Sequence, residues 1–169
     1  MRLFSGLSFF AKTAKTPPQG RLEAIFVARG AGAPMVSLES TQAIQGQGLK
    51  DDRYAQSQGF WKATDACQVT LISTFDLAQA RRRGAPERLE KGSHRRNLVI
   101  SGLRIQDLKG HDFQIGEAVF RYQKPRPPCG YLDKIEGAGL ARALGKHSGI
   151  CIQVIQAGLI KRGDTLTLL

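Results

Sequence analysis

Cysteine is scarce in this chain: three residues in 169, Cys67, Cys129 and Cys151, spaced 62 and 22 apart. There is no Cys-x-x-Cys pair, which excludes zinc-finger and zinc-ribbon spacing. So small and odd a set argues against a disulfide framework and reads as reduced thiols, the state kept in a cytosol. Long apolar runs are missing too. The opening stretch "MRLFSGLSFFAKTAKTPPQG" has a short apolar run ending at Ala11, then Lys12 and Lys15, and no small-x-small cleavage site. A membrane helix needs about 20 apolar residues, so no membrane span is expected, a secretory leader fits poorly, and the expected compartment is the cytoplasm.

Acidic residues are the minority charge, 14 against 25 basic, for a net charge of +11. That balance favours an anionic partner: nucleic acid, a membrane surface or a phosphorylated small molecule. Aromatics make up only 7% of the chain, with one tryptophan and three tyrosines, and no basic strand is interleaved with rings that could stack bases. The longest like-charge run is Arg81-Arg82-Arg83, short of a nucleic-acid arm. A basic nucleic-acid-binding module without catalysis is therefore the competing reading, ranked second. Internal repeats and low-complexity tracts are absent.

What is present fits a globular domain. The 41% apolar content and 19 glycines are ordinary, and 169 residues suffice for one domain with a real core. Pro17-Pro18 and Gly20 end a tail, residues 1–20, leaving residues 21–169 as the domain. Arg21–Ala28 reads as a strand with Leu22, Ala24 and Phe26 on one face. Further extended runs are expected at "MVSLESTQAI", "CQVTLIS", "RRNLVISG", "FQIGEAVFRYQ" (bent at Gly116), "ICIQVIQAG" and "DTLTLL", the last two joined by a connection over 158–163. Ser73 or Thr74 can cap a helix from about Phe75 to Arg83, stopped by Gly84. Helical spacing returns around "YLDKIEG" and "AGLARALGK". Six to eight short strands with two or three short helices argue against a doubly wound parallel sheet. They point to a mainly β (α+β) fold, a closed or nearly closed β-barrel with short peripheral helices.

Three constellations could carry chemistry. In "KPRPPCGYLDKIEG" the prolines Pro125, Pro127 and Pro128 supply no backbone donors, so the segment is a stiff loop running into a helix. Cys129 stands at that junction, near the positive helix end and near Lys124 and Arg126, conditions that expose a thiolate. A thiolate ligates soft metals or carries sulfur; an inert loop cysteine is the plain alternative. In "GLKDDRYA" an Asp52–Arg53 pair could simply fix the loop, or Arg53 could reach into a pocket. In "SHRRNLVISG" His94, Arg95 and Arg96 precede a strand that Asn97 begins; guanidinium groups recognise phosphate bidentately, while a solvated basic loop would look the same. Cys67 and Cys151, in β-rich runs, read as packed thiols.

Taken in order, Asp-Arg loop, Arg-Arg-Asn strand start, "FQIGEAVF", Pro-Cys loop, and an ending "GLIKRGD" (158–164) resemble the MOSC domain family, related to the C-terminal part of molybdenum cofactor sulfurases. The resemblance spans about Arg21 to Leu169 and is that of a small stand-alone member. It implies a barrel of the type inserted in pyruvate kinase, and molybdenum cofactor (molybdopterin) as the anionic pterin ligand. Cys129 would be the catalytic residue and the metal ligand or sulfur carrier. Arg53, Arg95, Arg96, Asn97 and Asp52 would bind the cofactor, joined by Arg126 of the Pro-Cys loop. The implied activity is sulfur transfer or, with electron-transfer or sulfur-donor protein partners, reduction of N-hydroxylated compounds. Two positions depart from the family pattern. Asp51 stands where its Gly-Asp-Arg loop has glycine, and Arg126 stands three before the cysteine, where relatives often have a small residue or cysteine.

Overall fold

The first strand, β1 (Gln19–Val27), carries a bulge between Leu22 and Ala24. One extra residue flips the alternation. Leu22, Ile25 and Val27 therefore face one core, while Ala24 and Phe26 face another, in place of the single Leu22–Ala24–Phe26 face expected from simple alternation. The computed structural model describes residues 18–169. Residues 1–17 of the expected tail lie outside the described residues, and Gln19 and Gly20 already belong to β1.

Among the described residues eleven strands and three α-helices run in the order β1, β2 (Val36–Leu38), β3 (Ser40–Ile44), β4 (Gly48–Leu49), β5 (Val69–Ser73), α1 (Thr74–Arg82), β6 (Leu98–Ser101), β7 (Asp112–Ile115), β8 (Ala118–Pro125), α2 (Gly130–Glu136), α3 (Leu140–Leu144), β9 (Ile150–Gln156), β10 (Gly158–Lys161) and β11 (Thr165–Leu168). Seven of these close a barrel in the order β11-β7-β8-β9-β5-β6-β1, with β1 returning to β11. Closure leaves no free edge in the ring. All its pairings are antiparallel except β5 with β6, and that parallel pair is joined through α1, as a parallel connection requires. A second sheet, β10-β3-β4, uses the 158–161 stretch as a strand where a plain connection was expected.

The barrel interior is filled by Leu22, Leu71, Leu98, Ile100, Phe113, Phe120, Ile152 and their neighbours. Outside it, Phe26, Ile72 and Val99 pack against Leu77, Leu89, Leu132, Leu140 and Leu144 of the helical layer. Ser73 caps α1 through a reciprocal capping box with Asp76. The "GLIKRGD" ending serves closure: Gly163 N–H donates to Leu22 O at 2.7 Å and Leu22 N–H to Asp164 O at 2.9 Å.

Cys67 and Cys151 form a disulfide across 84 residues, correcting the expectation of separate reduced thiols. The sequence spacing gave no signal of it, because the bond depends on β5 and β9 being neighbours. No helix among the described residues is long and apolar enough to cross a membrane.

Candidate functional site

The stiff Pro-Cys segment leaves β8 and turns directly into α2. Arg126 N–H donates to Gly149 O at 2.9 Å, tying the segment to the turn before β9. Gly149 has φ +84°, and a Cβ there would collide with the Leu71 carbonyl, so only glycine allows this approach. Cys129 is the N-cap residue of α2; its carbonyl accepts from Leu132 N–H at 2.9 Å, while its side chain makes no capping bond. The thiol is free and partly exposed.

One pocket gathers Cys129 with Arg53, Arg95, Arg96 and Arg126, walled by Tyr54, Phe60, Trp61 and Tyr131. The four arginines come from three separate segments, and each is held in its own way. Arg53 follows Asp52, whose carboxylate accepts from Ala28 N–H at 3.0 Å and Tyr54 N–H at 3.2 Å while pairing with Arg53 at 3.2 Å. Both readings of the Asp-Arg loop hold together: Asp52 fixes the loop, and Arg53 faces the pocket. Arg53 also donates to Arg95 O at 3.1 Å. Arg95 has φ +61°, a left-handed turn held by its N–H on Gly92 O at 2.8 Å. Its guanidinium donates to Ala33 O at 2.6 Å and to Glu136 at 3.2 Å.

Arg96 is buried and donates to Ser148 O and to Ser148 Oγ, both at 2.7 Å. Arg126 donates to the Tyr54 hydroxyl at 3.4 Å. Among the described residues neither Arg96 nor Arg126 has a carboxylate partner, in contrast to Arg53 and Arg95. Burial first, then Arg126 and Arg53, push the Arg96 guanidinium down to about 9, with Tyr54 and Cys129 acting the other way. Burial and Arg53 also lower Arg95, against Glu136. A guanidinium stays charged in a protein, so the physical content is an unmet demand for negative charge in the pocket.

Asn97, expected among the cofactor-binding residues, is not brought to the pocket. Its Oδ1 accepts from Thr70 N–H and Oγ1, and its Nδ2 donates to Phe26 O at 3.0 Å. It ties β1, β5 and β6 together, which spends both ends of its amide. Asp52 likewise stands behind the pocket, acting through Arg53. His94 lies at the back of the arginine turn, with its Nδ1 accepting Arg96 N–H at 2.9 Å. His147 pairs with Asp76 at 2.9 Å, outside the pocket lining. Sequence reading missed Tyr54, Phe60, Trp61, Tyr131 and Ser148. The adjacent pair Phe60-Trp61, rare rings in a polar loop, was the one available signal.

No group of three or more His, Cys, Asp or Glu among the described residues could hold a metal ion.

The MOSC domain family model matches residues 60–167. Among solved structures, the chain is similar to the YUAD protein from Bacillus subtilis (16% identity, 88% of this chain and 94% of that one, TM-score 0.70). It is also similar to YiiM from Geobacillus stearothermophilus (19%, 89% and 75%, TM-score 0.67) and YiiM from Escherichia coli (21%, 88% and 69%, TM-score 0.63). At these identities the likeness is one of fold. No curated protein matches the chain in sequence.

Proposed function

The chain belongs to the MOSC domain family, and we propose that it binds molybdenum cofactor, with the Cys129 thiolate as the metal's one protein ligand. Arg96 and Arg126, which have no carboxylate partner among the described residues, would hold the cofactor's phosphate; Arg53 and Arg95 would add to the field. One observation carries this reading. A free, partly exposed thiol lines the same pocket as two guanidinium groups lacking counter-charges.

The donor set suits the group. A soft, dithiolene-held metal favours a thiolate, and a phosphate favours forked guanidinium donors. A single cysteine is enough, because the pterin brings the remaining sulfur ligands. Bound there, the cofactor would supply two-electron redox chemistry at the metal. This chain's residues would bind it, orient it through the Ser148-held Arg96, and shield it behind Phe60, Trp61 and Tyr131. The activity is partner-dependent reduction of N-hydroxylated compounds, with electrons delivered by a separate protein. Sulfur transfer by Cys129 is the second reading, favoured by the partial exposure of its uncapped side chain.

Purification from a host that makes the cofactor tests the proposal. Molybdenum and pterin fluorescence should co-purify with the wild-type protein, and molybdenum should be lost from Cys129→Ser. Absence of both from the wild type defeats it. Salt-sensitive binding of random oligonucleotides, unchanged in Cys129→Ser, would favour the nucleic-acid reading instead.

A further inference from the structure

The pocket's free volume is about 50 Å³, room for a water or two, whereas organic ligands occupy pockets of roughly 300 Å³ or more. A ligand of cofactor size therefore does not fit the enclosed space as it stands, and part of the wall must move for it to sit inside. The wall that can move is the segment carrying Phe60 and Trp61. These rings are 53% and 49% exposed and, with Val36 and Leu169, make up the exposed large apolar side chains among the described residues. Phe60 stacks on Tyr131 of α2 at 4.0 Å between centroids and 10° between planes, and Trp61 lies edge-on to Phe60. Arg126 stands 6.0 Å from the Trp61 ring.

The segment is pinned at both ends and little between. Gln58 N–H donates to Arg53 O at 2.8 Å, and Gln58 O accepts from Ala31 N–H at 2.8 Å. At the far end Thr64 and Cys67 exchange backbone hydrogen bonds. Among the described residues, no backbone hydrogen bond ties 59–63 to anything else. Cys67 is then bonded to Cys151 of β9. Two and three residues before Cys151 on the same strand lead, Gly149 holds Arg126 and Ser148 holds Arg96. The disulfide therefore joins the root of the aromatic flap to the strand that anchors the pocket's cations.

We propose that the Cys67–Cys151 disulfide is a redox-sensitive tether that keeps this flap closed over the pocket. Cys151 is fully buried and Cys67 only 8% exposed, so a dithiol attacks Cys67 Sγ when the 59–66 segment lifts, and the exchange breaks the Sγ–Sγ bond. Two electrons and two protons pass to Cys67 and Cys151, leaving two thiols, while the reductant closes its own disulfide. Gln68 N–H stays on Ile152 O at 3.1 Å and Val69 stays paired with Ile152, so β5 keeps its place in the barrel; what loosens is the segment in front of it, which lets Phe60 leave Tyr131 and the pocket open. Only the identity of what then enters rests on the cofactor reading; the flap's motion does not.

The chain has a single tryptophan, Trp61, so its fluorescence reports the flap alone. In the oxidised protein Cys129 is the one free thiol. In the double variant Cys67→Ser, Cys151→Ser it is again the one thiol, so its alkylation by a bulky maleimide compares the tethered and untethered flap directly. Untethering should raise acrylamide quenching of Trp61 at least about two-fold and speed Cys129 alkylation about ten-fold or more. Folded wild type reduced with dithiothreitol and then cleared of it should match the double variant in Trp61 quenching and in alkylation at Cys129 itself, read by peptide mapping, with its thiol count rising from one to three. In Phe60→Ala, whose ring is exposed, alkylation should already be fast and indifferent to reductant. Equal quenching and alkylation in the oxidised and reduced wild type overturn the proposal, as does a disulfide that dithiothreitol cannot reach without unfolding the protein. Wild-type comparison decides even if the double variant fails to fold. If wild type from a cofactor-making host carries neither molybdenum nor pterin and still shows these shifts, the cofactor reading falls and the tether stands.

Discussion

Arg96 and Ser148 meet twice, the guanidinium donating to both the carbonyl and the hydroxyl of one buried serine at 2.7 Å. This aims a buried cation without neutralising it. A carboxylate in place of Ser148 would hold Arg96 as firmly, but would cancel the charge an anionic ligand needs. The choice of a neutral partner separates a ligand-facing arginine from a structural ion pair, as Arg95 with Glu136 illustrates by contrast.

Ser148→Ala should keep the carbonyl contact and remove the hydroxyl one. Loss of a buried bond to a charged group costs about 1–3 kcal/mol, so urea unfolding should show a drop of that size. Phosphate, used as a simple anion, should bind more weakly in the same variant. Ser148→Asp should recover stability yet lose phosphate binding, since the new carboxylate pairs with Arg96. Equal phosphate affinity in all three proteins would mean that Arg96 does not face the ligand.

Position 51 tests how the loop before Arg53 keeps its shape. Asp51 has φ +63°, the left-handed conformation that glycine adopts freely and aspartate tolerates. An aspartate thus holds a conformation that suits glycine, at the position where the resemblance expects one. Asp51→Gly relieves the strain but gains unfolded-chain entropy, and these offset to within about 0.5 kcal/mol. Asp51→Ala has no polar side chain to ease the conformation and should lose about 1 kcal/mol, Asp51→Val about 2 kcal/mol. Thermal melts ranked Gly ≈ Asp > Ala > Val are expected; a stable valine variant would show the loop to be slack.

Legibility from sequence followed the range of the interactions. The Pro-Cys loop could be read because three prolines constrain their own backbone, and the α1 cap because Ser73 and Thr74 stand directly before the helical run, of which Ser73 proves to be the cap. The arginines Arg53, Arg95, Arg96 and Arg126 could be named, and the barrel brings them to one pocket. What escaped depended on distant neighbours. Asn97 looked like a ligand residue until β1 and β5 supplied Phe26 O and Thr70 as its partners. The disulfide required β5 beside β9, and Tyr131 met Phe60 only through the turn of α2 over the flap. The bulge in β1 defeated simple alternation because nothing local marks the extra residue.

His94 gives the protein a definite acid response. Burial first, then Arg96, push its imidazole down to about 3, so the folded ring is neutral with Nδ1 accepting from Arg96 N–H. In the unfolded chain the ring titrates near 6.5. Between those values the unfolded state binds a proton that the folded state refuses, so stability rises with pH across the window. Put the other way, it is intact above about 6.5 and drains as pH falls towards 3, by up to about 1.4 kcal/mol per pH unit from this group. His94→Asn supplies a non-titrating oxygen that can accept the same N–H two residues on, as in an Asx turn. The variant loses ring contact with Phe26, at 5.5 Å between centroids, so its stability at neutral pH should fall. The informative quantity is therefore the slope. Chemical unfolding followed from pH 7 to pH 4 should show a steeper loss in the wild type than in His94→Asn, with the two curves converging in acid. Parallel curves would mean that His94 takes up its proton in the folded state as readily as in the unfolded one. The arginine turn in front of it would then be more open to water than its burial indicates.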